Sequence, residues 1–203
     1  KCKEIFDDIE GGKIISLISD AGTPLISDPG EFLVKLAREK KIKVIPVPGP
    51  SAVTAAISVA GFSSKFFFFG FLSKKTKERT QELESLCKIN SSIVLYLPAR
   101  DLKKSLEDFK NYFENRMIFI AREITKLHET YLSGTAKELL ENIGANDLKG
   151  EITVVISDKS VDLENAEDVN LVYEINLLIN KMSSKDMAEY LAKKLKISKK
   201  IIY

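Results

Sequence analysis

Apolar positions in this chain fall into short runs that end in Gly- and Pro-rich loops and alternate with stretches of helical period. Residues 14–18 are apolar apart from Ser16, and residues 19–24 then supply small, acidic and turn-forming side chains. A second polar cluster, residues 27–30, precedes a helical pattern. An apolar run that feeds a Gly-rich loop and then a helix predicts a buried parallel strand carrying a ligand loop. In open α/β sheets, ligands lie outside the carboxyl ends of the strands. Asp28, Pro29 and Glu31 predict the helix start, with Asp28 as cap and Pro29 at the first helical position. Phe32, Leu33, Leu36 and Ala37 line the apolar face of that helix to about Lys40. The unit repeats at residues 43–47 (KVIPV), the loop Pro48-Gly49-Pro50-Ser51 and an Ala-rich helix ending at Gly61. Two successive strand–loop–helix units imply parallel pairing with right-handed crossovers.

Beyond Gly61 the pattern changes. Residues 66–72 (FFFFGFL) form an aromatic strand-like run, open to reading as core or as interface. A basic loop at residues 73–77 leads to a helix over 80–88. Strands are predicted at 92–97, 117–121, 129–133 and 151–157, with a helix after Asp101 and another after Thr135, whose Glu138 completes a capping box. A short charged helix opens the chain over residues 3–9, and three short helices close it, near 171–180, over 183–195 and from Ser198. The expected architecture is α/β: residues 1–72 form a parallel α/β domain, 73–160 a mixed-sheet α/β domain, and 161–203 a linker with a helical segment.

Composition narrows the class. The 203 residues, 44% apolar and 30% charged, suit an ordinary globular protein. Net charge is only +2, but residues 181–203 hold seven lysines against Asp186 and Glu189. That segment reads either as a nucleic-acid contact or as a helix with a solvated lysine face. Cys2 and Cys87 are distant and His128 is the single histidine, which excludes a disulfide framework and the usual zinc sets. With no signal peptide and no apolar run near the roughly 20 residues of a membrane span, a cytoplasmic location is expected. The chain opens without Met on what reads as a helix already under way, so the expected N-terminus lies upstream.

No P-loop, G-x-G-x-x-G, H-E-x-x-H or G-x-S-x-G motif occurs, which removes support for simple NTPase, dinucleotide and triad-hydrolase readings. Two loops at adjacent strand ends remain, SDAGTPLISDPG and PVPGPSA. Their small residues leave backbone groups free for a polar ligand, and Asp20 suits a cationic amino group. Asp28 reads more simply as the helix cap.

The blocks ISDAGTPLISDPGEFLV, VIPVPGPSAVTAAISVAGF, FFFFGFL, AREITKLHET and KGEITVVI, in this order along nearly the whole chain, resemble the tetrapyrrole-methylase superfamily. The resemblance is to its branch that methylates the ribose 2′-hydroxyl of a cytidine in 16S rRNA. It implies a two-domain tetrapyrrole-methylase-like fold with S-adenosylmethionine bent in the cleft between the domains. Gly22, Thr23 and Pro24 fall where relatives carry Gly-Asp-Pro at the cofactor, the Thr being typical of this branch. Ile26, Ser51 and Ala52 fall on the cofactor wall, and Tyr96 and Glu151 on its adenosine side. The same resemblance implies 16S rRNA within the small ribosomal subunit as partner, a homodimer, no metal, and a helical C-terminal segment suited to RNA. The family's first strand with its Gly/Pro loop, and an early Thr-Arg segment near the RNA, are not found in these 203 residues.

The implied reaction is in-line attack of a 2′-hydroxyl on a sulfonium methyl, with alignment carrying much of the acceleration. A positioned base adds to it, and Asp20 and Glu123 are the candidates. Arg122 and Lys126 are the candidates for holding substrate phosphates or a developing alkoxide. Arg122-Glu123 also reads as an interdomain ion pair. A tetrapyrrole C-methyltransferase and a non-catalytic RNA-binding module are the competing functions.

Overall fold

The computed structural model describes residues 2–143, 149–158, 175, 178 and 182–195. By contact the chain divides into two units, Lys1–Lys159 and Ser160–Tyr203. The first unit is built on a five-stranded sheet. Its strands are β1 (Phe66–Phe71), β2 (Ser92–Pro98), β3 (Ile118–Arg122), β4 (Thr130–Gly134) and β5 (Glu151–Ile156). The order is β1-β2-β5-β3-β4, with β1 parallel to β2 and the other pairs antiparallel. The mixed sheet expected of the second half of the chain is therefore present.

Period-two alternation assigns the two faces of the sheet. Ile93, Leu95, Leu97, Ile118, Ile120, Ile152, Val154 and Ile156 point to one side. There they pack with helices α4 (Thr76–Leu86), α5 (Leu102–Tyr112) and α6 (Ala136–Asn142) through Leu83, Leu86, Leu102, Leu106, Phe109 and Leu139. Val94, Phe119, Ala121 and Val155 point to the other side, against Val53 and Ala56 of α3 (Ala52–Ala60). The Ala-rich sequence of α3 is what lets it lie close on β5 and β3. Helix α6 begins at the predicted capping box, with Thr135 accepting from the Glu138 amide. Buried Arg116 ties loop ends together by donating to the carbonyls of Ser157, Ile89 and Ser91, and its burial lowers its pKa.

Helices α1 (Cys2–Glu10) and α2 (Glu31–Glu39) form a small pair, with Lys40 reaching Glu10 at 3.1 Å and lying over the Phe6 ring. Between these helices and the sheet, the structure departs from expectation. Residues 14–18 and 43–47 belong to no strand. Ile14 is 95% exposed, Ile18 85% and Val47 86%. The parallel pairing predicted for them is not formed; the parallel pair is β1–β2 instead. A strand exists only when a second strand completes its ladder, and no described residue does so here. Helix α2 also starts later than predicted. Its cap is Gly30, with no side-chain cap bond, so Asp28 is not the cap.

Strand β1 is a sheet edge, and Phe66, Phe67 and Phe71 are each 40–53% exposed. The aromatic run is thus half core and half surface. It carries a bulge between Phe68 and Gly70, where Gly70 adopts φ +88°. In the second unit, helix α7 (Ser184–Leu195) is capped by Ser183, which accepts from the Asp186 amide at 3.2 Å. Ala188 and Leu191 are buried, and Lys185 and Lys193 are exposed. Helices expected near 171–180 and from Ser198 lie outside the described residues, positions 175 and 178 apart.

Candidate functional site

The loops singled out in the sequence meet at one end of the sheet. Strands β2 and β3 are each antiparallel to β5, so their carboxyl ends lie at the same edge, with the carboxyl end of β1 and the start of β5. The loop over residues 19–30 folds onto this edge by two close approaches. A Cβ placed on Gly22 would lie 3.8 Å from the Pro50 carbonyl, and one on Gly70 would lie 3.0 Å from the Ser27 hydroxyl. The first brings the SDAGTP and PGPSA loops together. The second sets Ser27 against the β1 bulge.

Tyr96 joins these loops to the sheet. Its ring packs edge-on against Phe68 at 5.1 Å and tilted against Phe71 at 5.5 Å. Its phenol pKa is raised, first by burial and then by the Asp28 carboxylate, with the Val53 backbone pulling the other way. Asp28, released from capping, is therefore a site-side carboxylate, the reading that the sequence pattern placed second to a helix cap. Ser51 and Ala52 lie half-buried at the start of α3. Asp20, Gly22, Thr23 and Ile26 are exposed, and Pro24 is half-buried. The amides of Gly22 and Thr23 donate no hydrogen bond among the described residues.

Arg122, Glu123, Lys126 and Glu151 form a second group beside the first. The Glu123 carboxylate accepts from the Glu151 amide at 3.0 Å and from Lys126 Nζ at 3.0 Å. Lys126 also lies 3.5 Å from the Glu151 carboxylate, and Arg122 Nε donates to the Lys149 carbonyl at 2.9 Å. The Glu151 amide bond, then Lys126, hold the Glu123 carboxyl below the usual range; the Glu123 bond in turn raises Lys126. A carboxylate so engaged is a clasp between the end of β3 and the start of β5, and a weak proton acceptor. Tyr96 pairs with Thr153 and Pro98 with Glu151 across β2–β5, which sets the two groups side by side. No described interaction links Asp20 to Glu123.

Backbone strain marks the same places. Among the described residues, Leu25, Ser27, Lys41, Glu123 and Thr125 are the non-glycine residues with positive φ. All but Lys41 lie in the 19–30 loop or the 122–126 segment. Side chains rarely adopt this conformation, and it persists where surroundings over-determine it, often at binding sites. Nothing in the identities of Leu25 or Thr125 signals it. No set of three His, Cys, Asp or Glu residues suited to a metal ion occurs among the described residues.

Comparison with known proteins bears on what this edge does. Residues 2–140 match the family model described as Tetrapyrrole (Corrin/Porphyrin) Methylases. The chain is 43% identical over 160 residues to the Ribosomal RNA small subunit methyltransferase I of Thermotoga maritima, covering 78% of this chain and 72% of that protein. It is 35% identical over 207 residues to the protein of the same name from Synechocystis sp., covering 100% and 74%. Among solved structures, the cobalamin biosynthetic enzyme cobalt precorrin-4 methyltransferase is similar with a TM-score of 0.57 at 18% identity, covering 77% of this chain and 69% of that one. The last of these speaks to the fold alone.

Proposed function

The chain belongs to the tetrapyrrole methylase family, and from that membership we infer an S-adenosylmethionine-dependent methyltransferase acting on small-subunit rRNA at the ribose 2′-hydroxyl of a cytidine. The observation that carries this reading is the alignment of the whole chain with relatives bearing the small-subunit rRNA name. The family alone also admits tetrapyrrole substrates. The reading extends to a homodimer working in the cytoplasm.

The residues at the sheet edge fit the cofactor in chemistry. Asp20 offers a carboxylate for an ammonium group, Gly22 and Thr23 offer undonated amides, Ile26 offers an apolar wall, and Tyr96 and Asp28 offer polar ends. Ser51 and Ala52 close the other side at the start of α3. When bound, S-adenosylmethionine supplies an electrophilic methyl group on a sulfonium. The chain's own part is to align the ribose hydroxyl, to exclude water and to receive a proton. Asp20 is exposed and without an ion-pair partner among the described residues, whereas Glu123 is held in its clasp. Arg122 and Lys126 place positive charge at the same edge, where an RNA backbone is attracted.

The test is transfer of tritiated methyl from S-adenosylmethionine, offering isolated small ribosomal subunits, protein-free 16S rRNA and a uroporphyrinogen-type tetrapyrrole in parallel. Label in either RNA substrate is expected. Label in the tetrapyrrole alone would sink the proposal. Asp20→Asn should lower the RNA rate by about 10²–10⁴-fold if Asp20 is the base; an unchanged rate would remove it from that role.

A further inference from the structure

Next to the two-loop site, a cavity of about 540 Å³ opens at the carboxyl ends of β1 and β2. Lys74, Arg100 and Lys104 line it with Asp101, and Phe71 and Tyr96 supply aromatic walls. The side chains of Lys74, Lys104 and Arg100 are exposed and make no hydrogen bond or ion pair among the described residues. Arg79 also reaches this cavity, but its charge is spent: Nε lies 2.6 Å from Asp108 and an NH₂ group 3.0 Å from Ser105 Oγ. The cavity therefore offers three unspent cations against one carboxylate. Asp101 starts α5 without a side-chain cap bond, so its carboxylate is left to the cavity.

Unpaired like charges on a concave surface repel one another, and an anionic ligand relieves that repulsion. Phe71 is 53% exposed and tilted 52° against Tyr96, a surface on which a base can stack. Cationic heads beside an exposed aromatic face are what single-stranded nucleic acid needs, phosphate to the cations and base to the ring. Tyr96 is shared with the loops assigned to the cofactor, so a nucleotide here lies beside the site of methyl transfer.

We propose that the cavity bounded by Lys74, Arg100, Lys104 and Phe71 is the subsite for nucleotides flanking the methylated one, holding their phosphates on the three cations and a base on Phe71. This rests on the rRNA reading above. The test compares the protein with its Lys74→Gln/Arg100→Gln/Lys104→Gln variant in binding a labelled single-stranded fragment of 16S rRNA over a salt series, with S-adenosylmethionine binding measured in parallel. The variant should bind the RNA at least tenfold more weakly. Its log K against log salt should flatten by about 2, since each phosphate neutralised on a single strand contributes roughly 0.7. Cofactor affinity should be unchanged, and Lys74→Arg/Arg100→Lys/Lys104→Arg should keep both affinity and slope. Unchanged RNA affinity and slope in the glutamine variant, with methyl transfer to rRNA intact, would overturn the subsite alone. Lost cofactor affinity with RNA binding retained would assign the cavity to the cofactor and overturn it too. A protein that neither binds nor methylates rRNA would overturn the subsite together with the rRNA reading.

Discussion

Glu123 sits at φ 51° with both of its close hydrogen bonds on one carboxylate oxygen. Its pKa is depressed in the fold, so it contributes stability above the ordinary carboxylate range, near 4.3, which is lost as pH falls through its folded value. Urea midpoints measured from pH 7 to pH 3 should therefore fall with acidification, and Glu123→Gln should flatten that limb. Gly150 faces the same oxygen. At φ +101° it occupies a region closed to most side chains, and a Cβ there would lie 2.5 Å from Glu123 Oε1. Gly150→Ala should cost about 1–3 kcal/mol in urea unfolding. Because both changes strike one clasp, their effects should not add. None of this was legible in the sequence, where Arg122-Glu123 read as a substrate-side element with an interdomain ion pair as the competing reading. Spacing names neighbours along the chain, and Gly150 reaches Glu123 only through β-sheet register.

Among the elements, those whose signals are local were legible. Thr135 and Glu138 announced α6, short apolar runs announced β2, β3 and β5, and the Ala-rich run announced α3. Elements that depend on a distant partner were not. Residues 14–18 have the apolar pattern of a strand but no ladder among the described residues, and Asp28 has the identity of a cap but stands two residues too early. The Arg79–Asp108 pair between α4 and α5 is likewise a product of packing, with Arg79 only 10% exposed. Asp108→Ala should cost about 1–3 kcal/mol by leaving a mostly buried guanidinium short of its acceptor. The double replacement Arg79→Met/Asp108→Ala should recover part of that loss, since no unpaired charge remains. A chemical-denaturation double-mutant cycle reads the difference.

For the molecule as a whole, the apolar pattern of the second half anticipated the mixed sheet, and the two loops do meet, at Gly22 and Pro50. What the pattern did not give was the sharing of Tyr96 between the loops and a basic cavity, because that depends on β1 and β2 ending together. The central claim is chemical: the methyl group goes to a ribose oxygen of rRNA. A 2′-O-methyl group leaves its phosphodiester without the hydroxyl that alkaline cleavage requires. Small subunits labelled by this protein with tritiated S-adenosylmethionine, digested in alkali and separated, should carry the label in an alkali-resistant dinucleotide with cytidine at its 5′ position. Label released in mononucleotides would place the methyl on a base and contradict the account.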